Sequence, residues 1–295
     1  MASNPRIPYQ LSSQRRKLAP PDGKPLIVHV ITNVEYWPYE KPMPRGLMTS
    51  PHGLSPNPDV LNFSWYEYGM RCGVPRFIKA LGSRGLPASC AINAGVIDVY
   101  PACAEAILES GWEFIAHNYE QKALTLETEE DVIGRTVARI GAFSGRPVRG
   151  WLGSGFAETE RTPERLRATG IRYVCDWGLD DLPTWLTTSG GGPLIAMPSS
   201  LAIDDGLVFG IQTRPSDEMY TRLVNTVRTF ESETDTNPRV ITIGLHPHLM
   251  GEPHRGPYLD QMLDFLLDRN DTIFMTGTQL ADWFESVEKP PSPSE

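Results

Sequence analysis

Residues 25–37, PLIVHVITNVEYW, run almost without polar relief through aliphatic and β-branched side chains. Such a run suits a strand covered on both faces, the condition of strands in a parallel sheet flanked by helices. That strand constrains the rest of the chain, because a parallel neighbour needs a crossover and the usual crossover is a helix. The sequence supplies the alternation. Helical patterns at 74–85, 100–111, 125–145, 162–170, 216–234, 258–270 and 278–284 interleave with strand patterns at 86–97, 112–120, 148–155, 171–177, 194–200, 239–249 and 271–277. Thr125 or Thr128 can cap the 125–145 helix, whose acidic first turn suits the positive end of its dipole. Seven or so βα units predict an α/β chain folded as a closed or nearly closed parallel barrel; periodicity also permits an open sheet.

The expected organisation is an N-terminal arm at 1–24, one barrel domain at 25–287 and a flexible tail at 288–295. Inside the domain, the proline-rich stretch at about 37–60 is too long and irregular for an ordinary connection, and reads as a lid or a subunit contact.

Charge narrows the function classes. The chain carries 27 Lys and Arg against 36 Asp and Glu, a net charge of −9, which offers no cationic field for a phosphate backbone. No apolar run follows the basic residues near the amino terminus, so neither a secretory signal nor a membrane span is expected, and the location reads as cytoplasmic. Cys72, Cys90, Cys103 and Cys175 lack a CxxC pair and read as small buried thiols. Asn62-Phe63-Ser64 has the form of a glycosylation acceptor without a route to glycosylation. GWLGSG, at 150–155, lacks the lysine of a phosphate loop, and the first βα connection has no dinucleotide fingerprint, which argues against ATP and NAD.

In a parallel barrel, reactive side chains come from the carboxyl ends of strands. Glu35, His117, the 149–155 segment, Asp180 with Asp181, and His246 with His248 fall at or just past such ends. A Glu35 carboxyl raised by burial would take a proton from water and return one to a departing nitrogen. His246 and His248 share a strand face unless the chain turns at Pro247, and would serve either as metal ligands or as donors to a developing oxyanion. Arg149 offers a planar fork for a carboxylate or a substrate carbonyl. Asp180 or Asp181 would pair with it, or with a histidine, or stabilise the turn. His254, beyond a glycine and a proline, reads as a surface residue.

At this point NVEYW, EFIAHNYEQ, RGWLGSG, TPERLRATGIRYVCDWGLDDLPTW, PLIAMPSS and LHPHLMGEPHRG together resemble the polysaccharide deacetylase (NodB-homology) superfamily, in particular its allantoinase-like and cyclic-imide-hydrolase-like branch, from about residue 25 to 285. The resemblance implies a distorted (β/α)7 barrel, hydrolysis of an amide-type C–N bond and a homo-oligomer, dimer or tetramer. It places Glu35 at the general-base position and matches His117 and His246 to the family's histidine motifs. Tyr36 stands where the second carboxylate of an aspartate pair is expected, and Gln121 where a second histidine is expected, so the usual metal triad is incomplete. The expected cofactor is therefore none, or a divalent metal such as zinc on Glu35, His117 and His246.

The resulting expectation is a hydrolase that opens a small cyclic amide, imide or ureide. Glu35, His117 and His246 would be catalytic, with Tyr36, Gln121, Arg149, Trp151, Asp180, Asp181 and His248 binding substrate or supporting the site. The substrate is the one small-molecule partner expected, with neither nucleic acid nor membrane. The alternatives are a metal-dependent N-deacetylase of an amino sugar or other N-acyl substrate, and a catalytically silent barrel that binds a small ligand.

Overall fold

The computed structural model describes residues 3–46, 56–190 and 192–291. Its central sheet begins with β1 (Leu26–Val34), every residue of which is buried. Next come β2 (Ser89–Ile92), β3 (Glu113–Ala116), β4 (Gly150–Trp151) and β5 (Tyr173–Val174). The sheet is completed by β6 (Thr184–Leu186), β7 (Leu194–Ala196), β8 (Arg239–Leu245) and β9 (Thr272–Phe274). The helices are α1 (Val60–Tyr68), α2 (Val74–Gly82), α3 (Gly95–Val99), α4 (Pro101–Glu109) and α5 (Glu129–Ser144). They continue with α6 (Thr162–Ala168), α7 (Glu218–Glu231), α8 (Gly256–Leu267) and α9 (Gly277–Val287).

The sheet order is β6-β7-β5-β4-β3-β2-β1-β8, with β9 also on β1. All pairings are parallel except β6 with β7. The sheet curls until β8 meets the chain beyond β7: Asp204 bridges Gly244, Thr242 Oγ1 donates to Pro198 O, and Thr242 N donates to Ser200 Oγ. The result is the distorted barrel expected from the sequence, built as a mixed sheet. The antiparallel β6, which begins in the 178–185 stretch whose pattern reads as a loop, is the departure. Strand parity then divides the core. Ile27, Ile31, Ala91, Ile115, Leu152, Cys175 and Val240 fill the interior, whereas Val28, Val30, Ile92, Ala116, Trp151 and Ile241 pack under the helices.

The sequence pattern gave no sign of α1, which runs through a π-helical turn, Gly69–Gly73, into α2. The glycines have a packing reason. A Cβ on Gly69 would lie 2.4 Å from His248 N, and one on Gly73 would lie 2.1 Å from Pro247 O. Only glycine lets this helix lie directly on the backbone of the His246–His248 segment.

The arm docks at the amino end of the barrel, with Leu18 buried, Arg6 on Glu164 at 2.8 Å and Arg15 on Asp180 at 3.1 Å. Residues 47–55 of the proline-rich stretch and 292–295 of the tail lie outside the described residues. All four cysteines are free; Cys90 and Cys175 are buried as expected, but Cys72 and Cys103 are only half-buried. Asn62 is buried in α1. Among the described residues, no helix is long and apolar enough to cross a membrane.

Candidate active site

The parity that fills the barrel also aims its chemistry. Glu35 follows β1, His117 follows β3 and His246 follows β8, each in the inward-facing phase of its strand. The three side chains meet at one carboxylate oxygen. Glu35 Oε1 lies 3.6 Å from His246 Nε2 and 3.9 Å from His117 Nε2, and accepts from Gln121 Nε2 at 2.8 Å. Its other oxygen accepts from Trp37 Nε1 at 2.7 Å. Glu35 and His117 are buried, with 5% and 3% of their surface exposed. Asn93 ties two of these strand ends together, because its Oδ1 takes Tyr36 N–H at 2.7 Å and its amide donates to His117 O.

Each imidazole is held by its other nitrogen. His117 Nδ1 donates to Leu152 O at 2.5 Å, which leaves the Nε2 lone pair unpartnered and facing Glu35. His246 Nδ1 donates to Asp205 Oδ1 at 2.5 Å. Asp205 is fully buried, and its Oδ2 accepts N–H groups from His246 at 2.7 Å and Met250 at 3.0 Å. The result is a carboxylate–imidazole dyad pointed at a second carboxylate.

The electrostatics reverse one expectation. Burial works to raise the Glu35 carboxyl and is the largest single influence. The proximity of the His117 and His246 imidazoles, with the fields of His246 and His248, outweighs it and holds the group well below the usual glutamate range. Glu35 is therefore ionised, not poised near neutrality. Burial likewise works to lower His246, but the charge and hydrogen bond of Asp205, reinforced by Glu35, raise it well above the usual histidine value. His248 goes the other way. Packed edge-on against Trp37 and Trp65 at 5.3 and 4.4 Å, it is pushed by burial down to about 3 and stays neutral.

A cleft of about 560 Å³ opens over Glu35 and His248, lined also by Trp37, Arg45, Gln121 and Ser154 among others. Ser154 Oγ donates to Gln121 Oε1 at 2.9 Å, fixing the amide so that its NH2 faces Glu35. The glycine-rich loop carrying Ser154 is pinned in turn by Asp176, whose Oδ1 accepts Gly153 N–H at 2.7 Å.

Several expected residues lie elsewhere. Arg149 precedes β4 at the amino end of the barrel, where it donates to Gly170 O at 3.4 Å, so it is not available to a carbonyl in this cleft. Asp180 is paired with Arg15, and Asp181 lies 4.0 Å from Arg239 at the start of β8; the loop that bears them returns to the amino end. Trp151 points outward into the helical layer, because Leu152 holds the inward phase. Tyr36 packs on Gly95, where an added Cβ would lie 2.6 Å from its ring. His254 is exposed. The residue that sequence reasoning missed is Asp205, although LAIDDG carries the signal used elsewhere: acidic residues just past a predicted strand end.

Among the described residues, the group whose ligand atoms lie within 4.8 Å of one another is Asp204, Asp205 and His246, not Glu35, His117 and His246. Metal ligands need free lone pairs. Both Asp205 oxygens are already engaged, His246 spends Nδ1 on one of them, and Asp204 Oδ1 accepts Leu207 N–H at 3.1 Å. Tyr36 is turned away, and Gln121 spends its amide on Glu35 and Ser154. The donor set is that of an incomplete, degenerate divalent-metal site.

Known proteins share this framework. The family model for polysaccharide deacetylase matches residues 59–174. The "Putative polysaccharide deacetylase" of Schizosaccharomyces pombe is 26% identical over 246 residues, covering 74% of each chain. Two solved structures each align with a TM-score of 0.80. The probable polysaccharide deacetylase of Pseudomonas aeruginosa PAO1 is 20% identical, over 95% of this chain and 97% of its own. Puue allantoinase is 21% identical, over 98% and 96%. The matched segment and the yeast relative make the chain similar to polysaccharide deacetylases over part of its length, and the solved structures show that it shares their fold.

Proposed function

We propose that this protein hydrolyses the C–N bond of an N-acyl group, with the Glu35 carboxylate and the Asp205–His246 dyad dividing the proton transfers between them. The observation that carries the reading is the convergence on Glu35 Oε1 of two imidazole Nε2 atoms, one of them backed by a buried carboxylate at 2.5 Å. The relatives named as deacetylases favour an N-acyl substrate.

In this mechanism a water is oriented by the Glu35 Oε1 and His117 Nε2 lone pairs. It attacks the carbonyl carbon as its proton passes to Glu35. His246 Nε2–H then protonates the nitrogen as the C–N bond breaks, giving a carboxylic acid and an amine. The proton on Glu35 returns to His246 and closes the cycle. General acid and base steps of this kind contribute about 10²- to 10⁴-fold each.

A cyclic amide, imide or ureide is the second reading. Its support is the degenerate metal site, because a ring carbonyl activated by a second acyl or ureido group asks least of water activation, and the solved allantoinase shares the fold. N-acetyl compounds and cyclic imides, assayed side by side before and after chelation, separate the cases. Turnover of the acyclic group supports the first reading. Turnover confined to rings selects the second. Activity lost on chelation and restored by zinc overturns water activation by Glu35, and no turnover on either group removes the hydrolase reading.

A further inference from the structure

The chain has a net charge of −9, yet the rim of its cleft gathers Lys41, Arg45 and Lys122. Lys41 is spoken for, since it holds both oxygens of Glu120 at 2.8 and 2.7 Å. Neither Arg45 nor Lys122 has a carboxylate within 4.0 Å among the described residues, and residues 47–55, which follow closely, contain no acidic side chain. Arg45 makes one long hydrogen bond, from Nη1 to Gly206 O at 3.5 Å. Asp204, whose Oδ1 accepts Leu207 N–H at 3.1 Å, feels the Arg45 charge from across the same space but is not within ion-pair distance of it.

Arg45 is also close to the proton donor. A Cβ placed on Gly206 would lie 3.1 Å from Arg45 Nη1 and 3.0 Å from His246 Cε1, so the guanidinium and the imidazole border the same small space. His246 is the group that protonates the leaving nitrogen. An anion held by Arg45 therefore sits on the amine side of the scissile bond, a few bonds from that nitrogen. A guanidinium fork with no ion pair within 4.0 Å among the described residues fits a carboxylate better than any neutral group.

We propose that the cleft takes amides bearing a carboxylate within a few bonds of the scissile nitrogen, as in an N-acyl amino acid or its ring-closed equivalent, with Arg45 as the specificity-determining residue. Which side of the substrate is the amine rests on the hydrolase reading above; the binding of the anion does not.

Calorimetric titration with N-acetylglycine and its neutral counterpart N-acetylglycinamide tests this without requiring turnover. Wild-type protein is expected to bind the anion at least about tenfold more tightly, the order of one charge-assisted hydrogen bond. Arg45→Gln should bring the two affinities to within about twofold of each other, and Arg45→Lys should restore part of the preference. An unchanged thermal midpoint in Arg45→Gln shows that the variant is folded. Equal affinities in wild type, a preference that survives Arg45→Gln, or no binding of the anion at millimolar concentration would each overturn the proposal. Preference without hydrolysis of any amide would remove the hydrolase reading and leave the anion site standing. Hydrolysis without preference would do the reverse.

Discussion

The two ends of the barrel are built from similar parts and do opposite things. At the amino end, His29 Nε2 donates to Ser89 Oγ at 2.9 Å, and Ser89 donates to Glu113 Oε2 at 2.9 Å. Glu113 also takes Tyr173 OH at 2.9 Å and Thr278 N–H at 3.1 Å to each oxygen, against the first turn of α9. At the carboxyl end, Glu35 Oε1 has one donor at 2.8 Å and two imidazole nitrogens at 3.6 and 3.9 Å, too far for direct hydrogen bonds. Histidine and carboxylate are common to both; saturation is not. A carboxylate surrounded by donors locks a fold, whereas one left a short gap from two imidazoles has room for a reacting molecule.

The largest expected effect breaks this contrast outright. Glu35→Gln should lower kcat by about 10³-fold or more by removing the proton acceptor, with the fold intact by circular dichroism. Ser89→Ala should leave kcat of the folded enzyme near wild type while costing about 3 kcal/mol in urea unfolding, because buried donors of His29 and Gly277 lose their acceptor. Comparable kcat losses in both variants would erase the functional distinction between the ends.

Asp205→Asn comes next. It should cost about 10²-fold in kcat and move the alkaline limb of the pH profile down. The sign follows from His246. Its value in the folded protein is raised, so the protonated acid persists above the usual histidine range of about 6.5, and losing Asp205 removes the main cause of that rise. The acid limb follows Glu35, whose lowered value keeps it ionised below the usual glutamate range. A limb that stays in place in Asp205→Asn would detach the dyad from the chemistry.

Smaller still is an effect on stability. Burial lowers His29 to about 4 and His248 to about 3, so both stay neutral in the folded protein while the unfolded chain begins to take up protons below about 6.5. The unfolded state then binds more protons, and stability falls with pH below 6.5 by about 1.4 kcal/mol per unit for each group until its folded value is reached. His246, raised, has the opposite sign: its contribution is complete below 6.5 and is lost as pH rises through the folded value. Urea midpoints between pH 7 and 5 in wild type and His29→Gln should show about half the acid slope disappearing in the variant. An unchanged slope would place the titration elsewhere.

How much of this was legible in the sequence differs by level. Strand parity carried far: His29, Ile31, Asn33 and Glu35 on one face of β1, and His117 and His246 at later strand ends, follow from the period of two. Topology beyond parity did not. A carboxylate after a strand points Asp180 and Asp181 to the mouth, but their loop returns to the amino end and pairs with the arm. Asp205 carries the same signal, but only the closure of β8 against the chain after β7 brings it to His246. The direction of the Glu35 shift could not be read from one strand, because it depends on imidazoles that follow two others.

The smallest effect sharpens the comparison most finely. Ser154 Oγ orients the Gln121 amide, and the amide in turn supplies the one close donor to Glu35 Oε1. Without the hydroxyl, Gln121 still has its backbone N–H on Tyr36 O at 3.0 Å, and the Glu35 charge itself favours the amide face that points NH2 inward. Ser154→Ala should therefore lower kcat by only about threefold, a fraction of one neutral hydrogen bond, with little change in unfolding free energy. Gln121→Ala, which removes the donor itself, should cost about tenfold or more and raise the acid limb, since an ionised carboxylate loses its close partner. Equal losses in the two variants would mean that Ser154 touches the reaction directly. A silent Gln121→Ala would mean that the imidazoles and Trp37 suffice to keep Glu35 charged, leaving the amide at position 121 as packing.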